Sequence, residues 1–430
     1  MKIALTNVNI ITGKMEDEIL RNKVIIIKNN KIIDICDTIN EKIKCINLQN
    51  RYIMPGLINM HVHLPGSGKG NSSKKQTKEK VNRLMNNPLT RKIAYLLCCK
   101  YAKTELLSGV TTIRTVAGLR NFDTKICEEI ENKKRIGPRM LASNMAISVP
   151  GGHMAGILAY EARTPLEAIN YVQLISKDKP KYIKLMITGG VMDALVEGEP
   201  GILKMPKEIV KASSTEAHKL GLKVCAHVES REGLIVALEN GVDTIEHGAS
   251  MIPSDVELFK KNKVSLITTI SPALPFVMFN EDLTQIEKTN SKIVLKGIID
   301  CAKTCLEYNI PVGLGTDTAC PYVTHYDMWR ELVYFSNIIG VSKKYAIHTA
   351  TLNNAKILGI DNITGSIEVG KSADFIVVDD DPTNDLTVLR YPYMVGFRGK
   401  IFKKPRVKKY KKVEKKLDEM LDTILTNKII

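Results

Sequence analysis

The sequence predicts an α/β fold, a (β/α)8 barrel of the TIM type joined to a small composite β-sandwich domain built from both chain ends. Three observations predict it. From residue 55 to 363, short apolar segments rich in β-branched residues alternate with amphipathic ones, the texture of repeated strand–helix units. Eight such strand candidates can be counted. The flanks, 1–54 and 364–400, read instead as short strands broken by Gly, Pro, Asp and Asn.

In order, IALTNVNIITG, KVIIIKNNKIIDI and KCINLQNRYIM supply the amino-terminal strands of residues 1–54, with Asn29-Asn30 as a hairpin turn. The barrel candidates follow at 57–63, 110–115, 140–145, 182–186, 223–227, 243–247, 265–269 and 311–316. Amphipathic stretches such as TPLEAINYVQLISKD, KEIVKASSTEAHKLG and REGLIVALENG separate them, and several end in Gly as helix C-caps do. Residues 64–88, after the first barrel strand, read as one long loop, a candidate lid. GSIEVGKSADFIVVD and PYMVGFRGKIF return to strand texture over 364–400. From 401 to 430, Val407, Tyr410, Val413, Leu417, Met420, Leu421 and Ile424 recur at helical spacing within a Lys-rich background, which predicts a basic amphipathic helix docking on the body or on another subunit.

Composition narrows the class. The 430 residues are 44% hydrophobic, ordinary for a globular enzyme-sized chain. Nine irregularly spaced cysteines without CxxC units read as reduced thiols. The amino terminus has no unbroken apolar leader, and no apolar run of about 18 residues occurs, so the expectation is a cytoplasmic protein without a membrane partner. A net charge of +16 is concentrated near the carboxyl end with few aromatics for base stacking, which reads as a solvated surface rather than a nucleic-acid site. PGSGKGNSSKKQ at 65–76 resembles a phosphate loop but fails its pattern, since Gly70 follows Lys69 and His63 stands where the first glycine belongs.

The chemistry collects at strand ends. In MPGLINMHVHLPG, His61 and His63 are two residues apart on a strand and so share one face. That pattern alone fits a metal-ligand pair or a satisfied core pair. Of the eight histidines, two more end barrel strands, His227 in KVCAHVE and His247 in DTIEHG, and Asp317 in PVGLGTDT follows the eighth strand. Active sites of such barrels lie at the carboxyl ends of the strands, so five metal-ligand residue types converge on one face. Lys184, within the apolar strand YIKLMITGG, would bear a heavy desolvation cost unless paired. It reads either as half of a buried ion pair or as a lysine whose depressed pKa lets the amine take up CO2.

In these residues the sequence resembles the amidohydrolase superfamily, over nearly the whole chain up to about residue 399. The resemblance rests on PGLINMHVH, the lysine of YIKLMITGG, the histidines of AHVES and IEHG, the aspartate of GLGTDT and the returning segment GSIEVGKSADFIVVD. GPRMLASNMAISVPGGH and KLMITGGVMD look most like the branch of Xaa-Pro dipeptidases and imidazolonepropionase-like proteins. The resemblance implies two divalent metal ions, commonly Zn2+: His61, His63 and Asp317 on one, His227 and His247 on the other, and Lys184, carboxylated by CO2, bridging both. It further implies attack on an amide by a metal-bridged hydroxide, with Asp317 as the catalytic proton carrier, and a homo-oligomer as the working form.

Three residues are candidates for contacting substrate. His153, after Gly151-Gly152, matches a substrate-contacting histidine of the resembling branch, the alternative being a loop hydrogen bond. His325, in PYVTHYDMW, is placed to reach the pocket mouth. Glu229, two residues beyond His227, stands where the resembling peptidases carry His or Tyr, and a carboxylate there would favour substrates with an amine near the scissile bond. His218 and His348 fall within helices and read as structural. The expected substrate is a small dipeptide or N-acyl amino acid, an imidazolonepropionase-like cyclic amide or, more distantly, a ring amine to be deaminated being the alternatives.

Overall fold

The computed structural model describes residues 2–39, 42–70, 77–279 and 283–426. Its strands are β1 Lys2–Ile10, β2 Leu20–Lys28, β3 Lys31–Cys36, β4 Lys44–Pro55, β5 Leu57–Val62, β6 Val110–Thr115, β7 Arg139–Leu141, β8 Ala146–Ser148, β9 Ala159–Glu161, β10 Tyr182–Met186, β11 Lys223–Val228, β12 Thr244–His247, β13 Ser265–Thr268, β14 Val312–Leu314, β15 Phe375–Val378, β16 Met394–Phe397 and β17 Lys400–Lys403. Among the described residues no helix is long and apolar enough to cross a membrane, and every cysteine is free.

Strands from both ends of the chain share one sheet, in the order β17-β16-β15-β4-β1-β2-β3, with β1 and β4 parallel and the other neighbours antiparallel. Asn29 and Asn30, both left-handed at φ 49° and 70°, make the β2–β3 hairpin turn that their sequence predicts. The expectation of a sandwich needs correction, because all seven strands belong to one continuous ladder. That sheet curls. The Ile32 N–H donates to the Lys371 carbonyl and the Gly370 N–H to the Ile32 carbonyl, which ties the β3 edge back to the approach to β15. Inside the curl Leu5, Ile10, Ile27, Ile53, Phe375 and Val377 form a core. Alternation along β2 sends Val24 and Ile26 to a separate apolar cluster on the other face.

The remaining strands are parallel and alternate with helices, as an α/β fold requires. They lie in a three-stranded sheet, β5-β6-β7, and a seven-stranded one, β14-β13-β12-β11-β10-β8-β9. The ladder is interrupted at two seams. Across one, Val62 bridges Thr318 and the Asp317 N–H donates to the His61 carbonyl at 2.9 Å; across the other, the Lys181 N–H donates to the Ala142 carbonyl at 2.8 Å. Gly315 lets the first seam close, since a Cβ there would stand 2.5 Å from that of His61.

Seven of the eight expected strands occur within two residues of their predicted ends. The exception is 140–145, which is split into β7 and β8. Asn144 lies between them at φ 61°, a left-handed conformation that ends a strand, and its side-chain oxygen accepts from the Thr124 N–H. The stretch 64–88 is not one loop either. Thr77 accepts from the Lys80 N–H and starts a helix, Lys78–Asn86, while residues 71–76 lie outside the described residues.

The tail also differs from expectation at its start. Residues 400–403 form β17, paired with β16, and the helix begins only at Lys411 and runs to Leu425. Its apolar stripe, Val413, Leu417, Met420, Leu421 and Ile424, joins the main core of the same chain. Arg330 donates to Asp418 at 2.7 Å, and Arg390 donates to Glu414 and Asp418 at 2.7 and 2.9 Å. The buried face of the helix is thus matched by apolar side chains and its flank by two guanidinium groups.

Candidate metal centre

β5 brings His61 and His63 to one side, with ring centroids 5.2 Å apart. Each ring is held at Nδ1. His61 donates to Glu246 Oε2 at 2.7 Å, and His63 donates to the Ala117 carbonyl, which can only accept, at 3.0 Å. Their Nε2 atoms both face Asp317 Oδ1, at 3.4 Å from His61 and 3.1 Å from His63. With Nδ1 carrying the proton, a neutral imidazole presents its Nε2 lone pair. Two imidazole Nε2 atoms and a carboxylate oxygen this close form a donor set that one cation can share.

His227 and His247 come from β11 and β12 and complete the ring cluster. His247 lies 4.9 Å from His61 and 4.7 Å from His227, centroid to centroid. The Nε2–H of His227 donates to the Gly189 carbonyl, and His247 Nδ1 is hydrogen-bonded to the Thr269 hydroxyl at 2.7 Å. His247 and Asp317 both adopt left-handed backbone conformations, φ 72° and 57°. For residues with a Cβ that is strain, and strain of this kind collects at functional sites.

The charges suit cation binding. Burial, and next the charge of Lys184, push His61 down to about 4. Burial with the neighbouring histidines holds His227 and His247 well below the usual range, so these imidazoles are neutral at pH 7. Burial works the other way on Asp317, but His61 and His63 outweigh it and keep the carboxylate ionised. Lys184, on β10, is 1% exposed, and its Nζ has no hydrogen-bond partner among the described residues. Burial lowers its pKa. Its charge adds to the lowering at His61, His227 and His247, and its strand lies directly beside β11, which carries His227.

Two groups of side chains are therefore able to hold a metal ion: His61, His247 and Asp317, and His227, Glu229 and His247, with the ligand atoms of each group within 4.8 Å of one another. His153 stacks on His227 at 4.3 Å and 6°, and its Nδ1–H donates to Asp193. Glu229 lies beside both, and burial, then repulsion from Asp317 and Asp193, pushes its carboxyl up to about 8.

His325 is not part of this cluster, and its expected place at the pocket mouth is corrected. It is 2% exposed, stacked on Tyr101, with Nδ1 hydrogen-bonded to Glu105 and Nε2 to the Gly66 carbonyl. Its ring nitrogens tie the loop after β5 to the helix Pro88–Leu107. His218 pairs with Asp243, and His348 binds the Gly13 carbonyl, both away from the cluster.

Residues that sequence reading passes over support the first histidine. Glu246 Oε2 accepts from His61 and from Arg114 Nη2, at 2.7 and 2.6 Å, while Oε1 accepts from the Thr244 hydroxyl. Burial raises the Glu246 pKa, but Arg114 and His61 override it, and the carboxylate stays ionised. A signal existed: an arginine inside the apolar strand VTTIRT and a glutamate beside the histidine of TIEH.

The amidohydrolase family pattern matches residues 52–402. The chain belongs to that family. It is an enzyme, a hydrolase of carbon–nitrogen bonds. Ochratoxinase of Aspergillus niger is 25% identical to this amidohydrolase over 384 residues, covering 83% of this chain and 76% of its own. A 5-methylthioadenosine/S-adenosylhomocysteine deaminase of Bacillus cereus strain 03BB102 is 24% identical over 408 residues, 89% of this chain and 86% of its own. Among solved structures, a candidate prolidase of Bifidobacterium longum superposes with a TM-score of 0.85 at 33% identity, covering 97% of this chain and 98% of its own. A Xaa-Pro dipeptidase with methionine bound in its active site gives 0.82 at 28% identity, covering 94% and 100%.

Proposed function

We propose that this amidohydrolase is a metal-dependent dipeptidase of the Xaa-Pro type, or a hydrolase of N-acyl amino acids. One observation carries the reading: the Lys184 amine is buried without a hydrogen-bond partner among the described residues, on the strand beside the one that carries His227. An ordinary ammonium without a partner is costly there, whereas a carboxylated lysine between two cations is not. In this reading the two parallel sheets work as one barrel, with the seams at Val62–Thr318 and Lys181–Ala142 completing the circle.

His61, His63 and Asp317 would hold one divalent cation, and His227 and His247 a second, with carboxylated Lys184 shared between them. Zinc suits such nitrogen and oxygen donors. When bound, the cations supply Lewis-acid activation of the substrate carbonyl and of water. The protein's own groups do the rest. Glu246 fixes the His61 tautomer by accepting at Nδ1 and so keeps Nε2 directed at the cluster. Asp317, ionised, takes a proton from the attacking water at a carboxylate oxygen and delivers it to the departing amine nitrogen as the C–N bond breaks. His153, its ring held at Nδ1 by Asp193, is left to position the substrate.

Hydrolysis of a panel of dipeptides, N-acyl amino acids and cyclic amides, by protein supplied with zinc and bicarbonate and by a chelated control, tests this. Metal-dependent cleavage of linear amides is expected. Turnover of cyclic amides alone would replace the reading with an imidazolonepropionase-like one. Deamination of a ring amine takes support from the similarity to the Bacillus deaminase, and ammonia released from adenosine-type substrates, with linear amides untouched, would establish it instead.

A further inference from the structure

We infer that Glu229 is itself a metal ligand, closing a two-histidine, one-carboxylate set with His227 and His247. The inference rests on the metal-dependent reading above and departs from the expectation that Glu229 recognises a substrate amine.

The ligand atoms of His227, Glu229 and His247 lie within 4.8 Å of one another. Donors bound at about 2.0–2.2 Å to one ion can be no farther apart than roughly twice that, so small adjustments close the set. Glu229 is the first residue after β11, two residues beyond His227. Its main chain is pinned. The Glu229 N–H donates to the Thr188 hydroxyl at 3.0 Å, Ser230 caps the following helix Arg231–Glu239, and Gly201 presses so closely that a Cβ there would stand 2.3 Å from the Glu229 carbonyl oxygen.

The Val191 backbone N–H reaches the carboxylate at the end of this pinned segment, but one of its two oxygens lacks a protein partner among the described residues. Glu229 Oε2 is buried without a hydrogen bond among the described residues, and the neighbouring arginine is committed elsewhere, Arg231 donating to both oxygens of Asp255 at 2.7 and 2.9 Å. Lys184 Nζ, the other orphaned buried atom of the cluster, is equally without a partner. A buried carboxylate oxygen without a hydrogen bond, beside two neutral imidazoles, makes up a donor set that a divalent cation takes. With Glu229 as a ligand, the second cation has an anionic donor that does not depend on lysine carboxylation.

The test is cobalt binding, followed by competition with a chromophoric chelator and by the visible spectrum of bound Co2+, for wild type, Glu229→Gln and Glu229→Asp, in bicarbonate-free buffer. Expected is weakening of one cobalt equivalent in Glu229→Gln by more than the roughly 100-fold that loss of an outer partner can cost, with a changed visible band. Glu229→Asp, which keeps the charge but shortens the reach, is expected to retain that equivalent with a shifted band. It also stands in should Glu229→Gln fail to fold, an unshifted band then counting against the inference. Unchanged affinity and spectrum in Glu229→Gln, with KM raised only for amine-bearing substrates, would overturn it and leave the two-metal reading intact. A wild type binding a single equivalent would instead sink the two-metal reading, and the dependence of that equivalent on Glu229 would still decide the ligand question.

Discussion

At Glu246 a single buried carboxylate serves His61, Arg114 and Thr244 at once. Removing its charge strands a fully buried guanidinium, and breaking a buried pair costs about 3–5 kcal/mol. Glu246→Gln is therefore expected to lower the unfolding free energy of the metal-free protein by that amount in urea titrations. Metal affinity, read by chelator competition, is expected to fall about 10–100-fold because His61 loses its orienting acceptor. A variant unchanged in both measures would show that His61 is aimed by something else. Glu331 offers a pH prediction. Its oxygens accept from the Ile270 and Ser271 N–H groups at 2.7 and 2.8 Å, beside the Thr269 that holds His247, yet burial pushes its carboxyl from 4.5 up to about 7. A carboxyl raised on folding binds its proton more tightly in the folded state, so the stability present below pH 4.5 is lost as pH climbs through 7. The fall in stability between pH 5 and 8 is expected to be shallower in Glu331→Gln than in wild type. His61, His227, His247 and Asp317 stood out because ionisable residues are conspicuous at the ends of apolar strands, and Lys184 because it lies inside one. Glu246 and Arg114 were not singled out: each is a charged residue inside an apolar strand, but the pairing that gives them their role crosses from β12 to β6 and is set by contacts distant along the chain.

The helix Lys411–Leu425 shows how much an element's outline depends on its surroundings. Its apolar spacing was readable, but its start was not: the strand texture of PYMVGFRGKIF runs on past residue 400, where Lys400–Lys403 pairs with β16. The same holds at 140–145, where apolar content suggests one strand and the left-handed Asn144 makes two. Strands such as β6 and β10, buried at every position, were read to the residue since nothing interrupts them. Leu417, 2% exposed in the tail helix, anchors that element to the main core. Leu417→Ala is expected to destabilise the protein by about 2–5 kcal/mol, the range for emptying such a site, without changing metal content. Denaturation beside metal analysis checks both halves, and a loss of metal would show that the helix reaches the centre.

Across the whole molecule, the candidate ligands come from β5, β10, β11 and β12 and from the segment after β14. A cation bound among them would join both parallel sheets, and ligand binding to the folded state alone stabilises by about 4 kcal/mol at a thousand times Kd. Chelation is accordingly expected to lower Tm, and zinc to restore it. An unaltered Tm in a chelated sample shown to be metal-free would argue that the cluster carries no ion of structural consequence. Strands from both chain ends share one sheet, and that they keep company was suggested by their shared texture. The parallel β1–β4 pairing and the curl that turns a sandwich into one sheet were not, being set by contacts distant along the chain. Arg51 within β4 and Asp379 just after β15 form a bond across 328 residues. On a ribosome adding about 5–20 residues per second, β4 is made and then waits on the order of tens of seconds for its antiparallel neighbour. Throughout that interval one edge of an isoleucine-rich sheet lies open, so the vulnerable stage in the life of this protein falls during its synthesis, when a chaperone has most to offer.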